Sequence, residues 1–152
     1  GLSLGGNITL IDSEVLLTDD EAQRLNDLGV PEPKRDMTNA PEYLYNIYAS
    51  YELPDWGTQL GLFYTVRGDT LVRGAGRDGD RYIPSGYETE YGTLNFSLSQ
   101  KLGEIWTLKF QAKNLLDPDI ETVYRSKYIT DDVTKTSYTK GRDFSVSLSA
   151  AF

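Results

Sequence analysis

Three absences limit what this chain can do. The sequence has no cysteine, which excludes disulfide bonds and thiol chemistry. It has no histidine, so the commonest metal ligand and the commonest general base are missing. No apolar run approaches the roughly 20 residues of a transmembrane helix, although a barrel strand needs only about 9–11. No Ser-His or Cys-His pair can form, and although paired catalytic carboxylates stay open, nothing in the sequence selects a pair. We therefore expect no catalytic residue and no enzyme activity, and we also expect no cofactor.

Positive charge is also scarce. The 152 residues carry 15 Lys and Arg against 23 Asp and Glu, which gives a net charge of -8. A chain without a cationic face has little with which to bind phosphates, so we expect no nucleic-acid partner. Acidic side chains recur between the apolar segments, but none of these runs has the ligand spacing of a calcium loop. We therefore expect no metal site.

The chain is rich in two-residue alternation. Apolar side chains occupy positions 144, 146, 148, 150 and 152, and serine occupies 145, 147 and 149. Such a pattern gives a strand one apolar and one polar face, as in a half-buried soluble strand or a membrane barrel strand. Along the whole chain it predicts strands over about 1–11, 42–53, 58–72, 87–102, 106–115 and 136–152. The segment 121–129 either extends the fifth strand or forms a hairpin arm of its own.

The connections between these strands alternate in length. Residues 54–57 (Pro-Asp-Trp-Gly) and 103–105 (Gly-Glu-Ile) are short and have the composition of tight turns. The other three connections are much longer and hold most of the charge. Long loops at one rim and tight turns at the other are typical of outer-membrane barrels. In the first long loop, Thr18 and Glu21 predict a capping box and a helix over 19–28, lying over the barrel mouth.

The two faces of the predicted strands differ in composition. One face is mostly Leu, Ile, Val, Phe and Tyr, whereas the other holds Ser, Thr, Asn, Gln, Lys and Gly with few charges. A face in bulk water would carry more Lys and Glu, so this polar face suits a hydrated or plugged lumen. We therefore predict an apolar face toward lipid. The residues predicted to face the lumen are Arg67, Asn95, Lys109, Gln111 and Lys113.

Aromatic side chains are predicted to form two belts at the membrane interfaces. Near the tight turns these are Tyr51, Trp56, Trp106 and Phe152. Toward the long loops they are Tyr64, Tyr87, Tyr91, Tyr124, Tyr128 and Tyr138.

Two short motifs match functional patterns by their letters alone. Residues 74–79 read G-x-G-x-x-G, but they bridge two antiparallel strands, so we expect a flexible loop rather than a nucleotide site. Residues 67–69 spell Arg-Gly-Asp near the end of a predicted strand, and we expect no adhesion role for them.

Four segments together resemble the C-terminal portion of TonB-dependent outer-membrane receptors. They are residues 39–46, 62–69, 112–117 and 141–152. The most specific is Ala-Lys-Asn-Leu-Leu-Asp at 112–117, which is similar to an Asn-Leu-aromatic/Leu-Asp signature near the end of that family's barrel. As a set, the segments extend the likeness over essentially the whole chain.

The resemblance implies an all-β fold, a transmembrane antiparallel barrel of about 22 strands. Residues 1–152 would supply about six C-terminal strands, without the plug domain and the earlier strands. The implied function is TonB-energised import of a scarce nutrient, such as a ferric siderophore, cobalamin or a glycan, across the outer membrane of a Gram-negative bacterium. The implied partners are the rest of the barrel and its plug, the TonB complex through the missing N-terminal part, and outer-membrane lipid.

The resemblance also gives the closing strand a role in assembly. Outer-membrane proteins present a C-terminal strand with alternating apolar residues and a terminal aromatic to the barrel-assembly machinery, and β-augmentation is the physical basis of that recognition. The residues that fit this signal are Phe144, Val146, Leu148 and Phe152.

Two other architectures stay open from the sequence. A complete eight-stranded outer-membrane barrel with a structural or adhesion role fits this length if two loops are promoted to strands. A soluble lipocalin-like binding barrel would place Leu94, Phe96 and Leu98 inside. Pairing of the last strand with the first would indicate a closed small barrel, whereas an open six-stranded sheet would indicate part of a larger one.

Overall fold

A computed structural model describes residues 1–151, and Phe152 lies outside the described residues. The described part contains fourteen strands, a helix α1 (Asp19–Asn26) and a 3-10 turn (Pro54–Trp56). The strands are β1 (Leu2–Leu10), β2 (Val15–Leu16), β3 (Lys34–Arg35), β4 (Tyr43–Leu53), β5 (Thr58–Arg67), β6 (Thr70–Arg73), β7 (Gly76–Asp78), β8 (Arg81–Ile83), β9 (Ser85–Glu88), β10 (Tyr91–Leu102), β11 (Trp106–Lys113), β12 (Ile120–Arg125), β13 (Val133–Tyr138) and β14 (Asp143–Ala150). Within residues 1–151, no helix is both long enough and apolar enough to cross a bilayer.

Six long strands form one antiparallel sheet, the main sheet, in the order β1-β4-β5-β10-β11-β14. Each long strand pairs with the next long strand along the chain, so the sheet is an up-and-down meander and the six predicted strands are confirmed. Within the described residues β1 and β14 are the two edges of the sheet and do not pair with each other. The open sheet is the arrangement expected for part of a larger barrel, and it excludes an eight-stranded barrel closed by these residues.

Four short strands form a second antiparallel sheet in the order β13-β12-β9-β6. Each of them lies beyond the long-loop end of one long strand: β6 follows β5, β9 precedes β10, β12 follows β11 and β13 precedes β14. The short strands therefore repeat the order of their long neighbours. At the rim of the main sheet the pairing between neighbouring strands is interrupted, and it begins again in the long connections as the second sheet.

This break corrects several predicted strand ends. The third strand, predicted over 58–72, ends at Arg67, and β6 begins at Thr70 after two intervening residues. The predicted strands over 87–102 and 136–152 are likewise divided, with their outer parts in β9 and β13. The carboxylate of Asp69 accepts the amide hydrogen of Glu90 at 2.7 Å in the place where a ladder bond would stand. Alternation continues through the break, so the sequence pattern does not reveal it.

The segment 121–129 is resolved in favour of the hairpin arm. Its strand β12 pairs with β13 on one side and with β9 on the other, and it belongs to the second sheet.

Residues 76–83 form the small β7-β8 hairpin, so the G-x-G-x-x-G letters lie in an antiparallel turn and no helix follows them. The predicted flexible loop is therefore an ordered hairpin, and the absence of a nucleotide site stays a prediction.

The predicted tight turns and helix are present. Gly57 and Gly103 have φ of 64° and 70°, the left-handed conformation that a short reversal requires and that glycine adopts without steric cost. At the start of α1, Thr18 Oγ1 accepts the amide hydrogen of Glu21, and the Glu21 carboxylate accepts that of Thr18, both at 3.3 Å. This is the predicted capping box. The helix ends at Asn26, two residues before the predicted end.

The packed core lies in the long connections. We call residues 11–42, 68–90 and 114–142 together the loop cap. Four of its apolar side chains are buried: Leu25, Leu71, Ile120 and Val123. The helix is anchored through Leu25, and the second sheet supplies the other three. The main sheet contributes only Val66 and Ala112 to the buried apolar set of the described residues.

Candidate functional site

The register of the main sheet determines which side chains share a face, because directly paired residues point to the same side. One row across the six strands is Leu2, Tyr51, Leu60, Leu98, Phe110 and Val146. The next row is Leu4, Ala49, Leu62, Phe96, Ala112 and Phe144. The apolar positions of all six strands therefore form one continuous face.

The opposite face is polar. One of its rows is Ser50, Gly61, Ser97, Gln111 and Ser145, and the next is Glu52, Gln59, Ser99, Lys109 and Ser147. The five residues predicted to face the lumen, Arg67, Asn95, Lys109, Gln111 and Lys113, all lie on this face. The register thus brings them together, and that the face lines a lumen stays a prediction.

Side chains on the polar face interact across strands. Thr65 donates to Asn46 at 2.7 Å, and Asn46 in turn donates to Asn7 at 2.9 Å, so a polar ladder crosses three strands. Nearer the tight turns, small side chains leave a groove of about 380 Å³, lined mainly by Ser, Gln and Gly with Glu52 and Lys109. A surface of this kind offers many hydrogen-bonding groups to a molecule that slides past or docks.

One aromatic pair interrupts the polar face. Tyr48 and Phe63 are direct cross-strand partners with ring centroids 6.3 Å apart. Both side chains are more than 40% exposed, and the Phe63 ring lies over Gly61, where an added Cβ would approach the ring to 2.9 Å. The pair provides a flat apolar contact within otherwise polar surroundings.

The predicted assembly residues lie on the apolar face of an edge strand. Phe144, Val146 and Leu148 are 58%, 68% and 58% exposed on β14. Phe152, the fourth of them, lies outside the described residues. An edge strand carries unpaired backbone groups, which is the property that β-augmentation uses. The arrangement fits the predicted signal, and the assembly role itself stays a prediction.

The aromatic belts are only partly reproduced. Trp56 and Trp106, at the tight turns, are exposed as an interfacial belt requires. Tyr87, Tyr124 and Tyr128 lie instead in the loop cap, where they contact charged or polar groups. The predicted outer belt is therefore wrong for these three tyrosines, and Tyr138 on β13 also lies in the second sheet. The strand breaks explain the error, because β9, β12 and β13 belong to the second sheet and Tyr128 lies in the connection after β12.

A single guanidinium connects two long loops in the loop cap. Arg125 on β12 donates from Nη1 to Asp69 at 2.7 Å and from Nε to Asp132 at 2.8 Å. Asp69 lies at the rim break of the second long loop, whereas Asp132 belongs to the third. Hydrogen bonds to the two carboxylates, with Asp132 the stronger influence, raise the pKa of Arg125. We call this arrangement the Arg125 latch.

Tyr87 extends the latch to the first long loop. The Arg125 guanidinium lies 4.9 Å from the centre of the Tyr87 ring, and the Tyr87 hydroxyl donates to Asp36 at 2.7 Å. Burial, followed by the bond to the Asp36 carboxylate, raises the pKa of Tyr87. All three long loops are therefore joined through Arg125 and its immediate contacts.

A second set of contacts ties the first and third loops. The Tyr82 hydroxyl lies 2.8 Å from Glu32, to which it donates, and 2.7 Å from the Ser126 hydroxyl. Burial raises the pKa of Tyr82 to about 12, so the phenol keeps its proton at neutral pH. The Tyr128 hydroxyl donates to the carbonyl of Pro31 at 2.8 Å. These bonds hold the first loop against the end of β12.

A pocket of about 580 Å³ lies between the first loop and the second sheet. Its volume is within the range of small-molecule sites. Its lining includes four basic side chains, Lys34, Arg35, Arg125 and Lys127, and three acidic ones, Glu14, Glu32 and Asp36. Among residues 1–151, no group of three or more acidic side chains is arranged to hold a metal ion. The pocket is therefore a candidate for a polar organic ligand.

Comparison with known families identifies the barrel. A family model described as "TonB dependent receptor-like, beta-barrel" matches residues 1–115, which is more than half of the chain. The chain belongs to this family. Its members are outer-membrane receptor barrels with a general role in nutrient import. Searches of the curated proteins and of the solved structures gave no significant match.

In this receptor barrel, the 112–117 motif fastens the rim of the last two long strands. Asn114 and Asp117 have positive φ, 56° and 47°, and reverse the chain after β11. The Asn114 amide donates to the Gly141 carbonyl at 2.8 Å, and the Gly141 amide donates to the Asp117 carboxylate at 2.8 Å. The motif therefore fixes where β14 begins beside β11.

The charged side chains of the Arg-Gly-Asp tripeptide form ion pairs and hydrogen bonds within the receptor barrel. Arg67 lies 3.4 Å from Glu88 and donates to Thr70 at 3.1 Å. Asp69 accepts from Arg125 and from the Glu90 amide. Because both charged side chains are engaged within the loop cap, the tripeptide is not displayed as an adhesion loop.

Sequence reasoning missed the latch and the pocket. Asp36, Tyr87 and Arg125 lie far apart in the chain, in three different long loops, and none lies in a recognisable motif. The only sequence signal was the 121–129 segment with strand character inside a long loop, which placed some structure beyond the rim. Contacts between loops depend on the strand order of the second sheet, and alternation carries no information about that order.

Proposed function

We propose that this chain is part of the barrel wall and outer loop cap of a TonB-energised importer in the outer membrane of a Gram-negative bacterium. One observation carries the proposal: a six-stranded open sheet with one predominantly apolar face and one polar face. The apolar face contacts lipid. The polar face, with Arg67, Asn95, Lys109, Gln111 and Lys113, lines the lumen and contacts the plug and the passing nutrient.

The remaining strands of the same receptor would complete the barrel along the edges β1 and β14. An unpaired edge in hydrocarbon leaves backbone groups unsatisfied at a cost of several kcal/mol for each group, so these edges need partners. The TonB complex would act through the N-terminal part of such a receptor. The nutrient is of the ferric siderophore, cobalamin or glycan class.

The closing strand would act during assembly as well as in the finished barrel. Phe144, Val146, Leu148 and Phe152 present the alternating apolar side chains that the barrel-assembly machinery reads. The exposed edge of β14 supports this proposal, because its backbone groups are available for strand addition.

Spin labels would test the orientation of the two faces. Since the chain lacks cysteine, Leu98→Cys and Ser97→Cys place labels on adjacent residues of opposite faces in an otherwise cysteine-free full-length receptor. In lipid vesicles, we expect the label at 98 to collide with lipid-dissolved oxygen and the label at 97 to be shielded from it. Equal oxygen accessibility of the two labels, or the reverse order, would contradict the proposed membrane orientation.

Energy coupling needs a separate measurement. Cells expressing the full-length receptor, with and without functional TonB, would be compared for uptake of a ferric siderophore, cobalamin and an oligosaccharide. We expect uptake of one class that depends on both the receptor and TonB. Uptake that is independent of TonB would indicate a passive channel and overturn the coupling.

A further inference from the structure

The 580 Å³ pocket in the loop cap has a charge opposite to that of the chain. The net charge of the protein is -8, and residues 12–36 alone contain eight acidic and three basic residues. The pocket is nevertheless lined by four basic and three acidic side chains. Folding has thus gathered scarce bases around one cavity.

The acidic side chains of the pocket already have partners. Glu14 pairs with Lys34 at 2.6 Å, and Glu32 and Asp36 accept the hydroxyl hydrogens of Tyr82 and Tyr87. A carboxylate that accepts such bonds is held in place and is less available to a cationic ligand. The acidic groups therefore do not make this a cation site.

Two of the basic side chains still have N–H groups available to bind an anion. Lys127 has no carboxylate within 4 Å among residues 1–151, and its ammonium donates to the Pro31 carbonyl at 3.1 Å. Arg35 lies 3.6 Å from Glu21, a loose pair, and its side chain is 27% exposed. Arg35 comes from the first loop and Lys127 from the third, so their charges enter the pocket from different loops. By contrast, Arg125 already pairs with both Asp69 and Asp132.

We propose that this pocket binds a small anionic ligand that carries carboxylate or phosphate groups, held between Arg35 and Lys127. An arginine fork and a lysine ammonium are the groups that bind such oxyanions with charge-assisted hydrogen bonds. The hydroxyl of Ser85, which also lines the pocket, can donate to one of its remaining oxygen atoms. The inference rests on the proposed import function and names the charge class of the nutrient that the outer loops capture.

The test is calorimetric titration of the purified full-length receptor in detergent with citrate, inorganic phosphate and neutral maltotriose. We compare the double variant Arg35→Gln/Lys127→Gln with a matched control, Arg81→Gln/Lys140→Gln, which removes the same charge elsewhere in the loop cap. We expect citrate to bind the wild type and the control with affinities within about twofold. The pocket variant should bind citrate about tenfold or more weakly, and Arg35→Lys/Lys127→Arg should restore most of the affinity.

Several results would overturn the site. They are undiminished citrate binding by the pocket variant, an equal loss in both double variants, or binding of maltotriose without either anion. Displacement of citrate by lipopolysaccharide but not by phosphate would show that the basic side chains of the pocket bind lipid. That result would also overturn the proposed site for a small anion. If the double variant fails to fold as a barrel, Lys127→Gln alone carries the test, because among residues 1–151 this side chain makes only a backbone bond and a ring contact with Tyr128.

The outcome is separable from that of the proposed function. Calorimetry measures binding without transport. Anion binding without TonB-dependent uptake would therefore contradict the proposed import function but support the anion site. TonB-dependent uptake of a neutral nutrient by a receptor that binds neither anion would contradict the anion site but support the proposed import function.

Discussion

The loop cap and the main sheet have similar alternating sequences but bury their apolar side chains differently. Leu71, Ile120 and Val123 of the second sheet are at most 4% exposed, whereas Leu4, Leu62 and Val146 of the main sheet are 43% to 72% exposed. In the cap, the first loop folds against the second sheet and covers it. In the main sheet, nothing within the described residues covers the apolar face.

The difference shows where each region obtains its stability. The loop cap buries apolar area and satisfies its charges with groups from the same chain, so it has a local core. Within residues 1–151 the main sheet buries only the apolar side chains of Val66 and Ala112, and in the proposed membrane orientation its stability depends on lipid and on neighbouring strands. Substitutions should therefore act locally in the cap and on insertion in the sheet, and four of them test this contrast.

The largest loss of folding stability is expected from a substitution in the core of the loop cap. Leu71→Ala removes a side chain that is 1% exposed and leaves a cavity, at a cost of about 2–5 kcal/mol. We expect hydrogen exchange of the β9 and β12 amides in the full-length receptor to accelerate correspondingly, with the main sheet unaffected. Leu4→Ala, on the exposed apolar face, is the control. Equal exchange in the two variants would show that the cap has no independent core.

The next effect tests the apolar face of the sheet. Leu62→Lys places a charge where lipid is expected and should cost about 2–4 kcal/mol near the bilayer centre. The fraction of receptor that folds into vesicles, read from heat-modifiable migration on gels, should fall. Ser97→Lys introduces the same charge on the neighbouring strand but on the polar face, and should fold normally. Similar losses in both variants would contradict the assignment of the faces.

The sequence predicted the main sheet well because its information is local. Six strands, their faces, the tight turns and the Thr18 capping box each depend on a few consecutive residues, and all are present. The family resemblance added the receptor class. The ends of the strands were less predictable, because the breaks at Asp69 and Asn114 are made by side chains that replace ladder bonds without disturbing the alternation.

The loop cap could not be derived in the same way. Its contacts join residues far apart in the chain, such as Asp69 with Arg125 and Asp36 with Tyr87. Composition predicted acidic loops, and the pocket is nevertheless lined by more bases than acids. Local patterns specify which face a side chain takes, whereas the partner it meets depends on how three loops fold together.

The third prediction concerns the Arg125 latch. Arg125→Gln removes charged bonds to Asp69 and Asp132, and we expect the cap to lose about 1–2 kcal/mol, less than for a fully buried pair because the side chain is 35% exposed. Proteolysis within residues 126–142 should become faster in the full-length receptor. In wild type, 0.5 M salt should reproduce part of this effect by screening. Arg81→Gln is the control. Unchanged proteolysis in Arg125→Gln would show that packing alone holds the loops.

The smallest effect is expected at the start of α1. Thr18→Ala removes the hydroxyl that accepts the Glu21 amide, and helix caps of this kind contribute about 1 kcal/mol. Hydrogen exchange of the amides of α1 should rise by roughly fivefold, while β12 keeps its protection. Thr134→Ala, on exposed β13, should leave α1 unchanged. Faster exchange in β12 of Thr18→Ala would mean that the helix and the second sheet open as one unit.

The capping box also makes this effect sensitive to pH. The bond from the Thr18 amide, the leading cause, holds the pKa of Glu21 below its ordinary value of 4.5. A carboxyl whose pKa is lower in the folded state stabilises that state above 4.5 and loses this contribution as the pH falls through its folded pKa. The protection factors of the α1 amides should therefore fall in acid more in wild type than in Glu21→Gln, which keeps an acceptor oxygen but does not titrate. Identical acid responses would show that the Glu21 charge does not stabilise the helix.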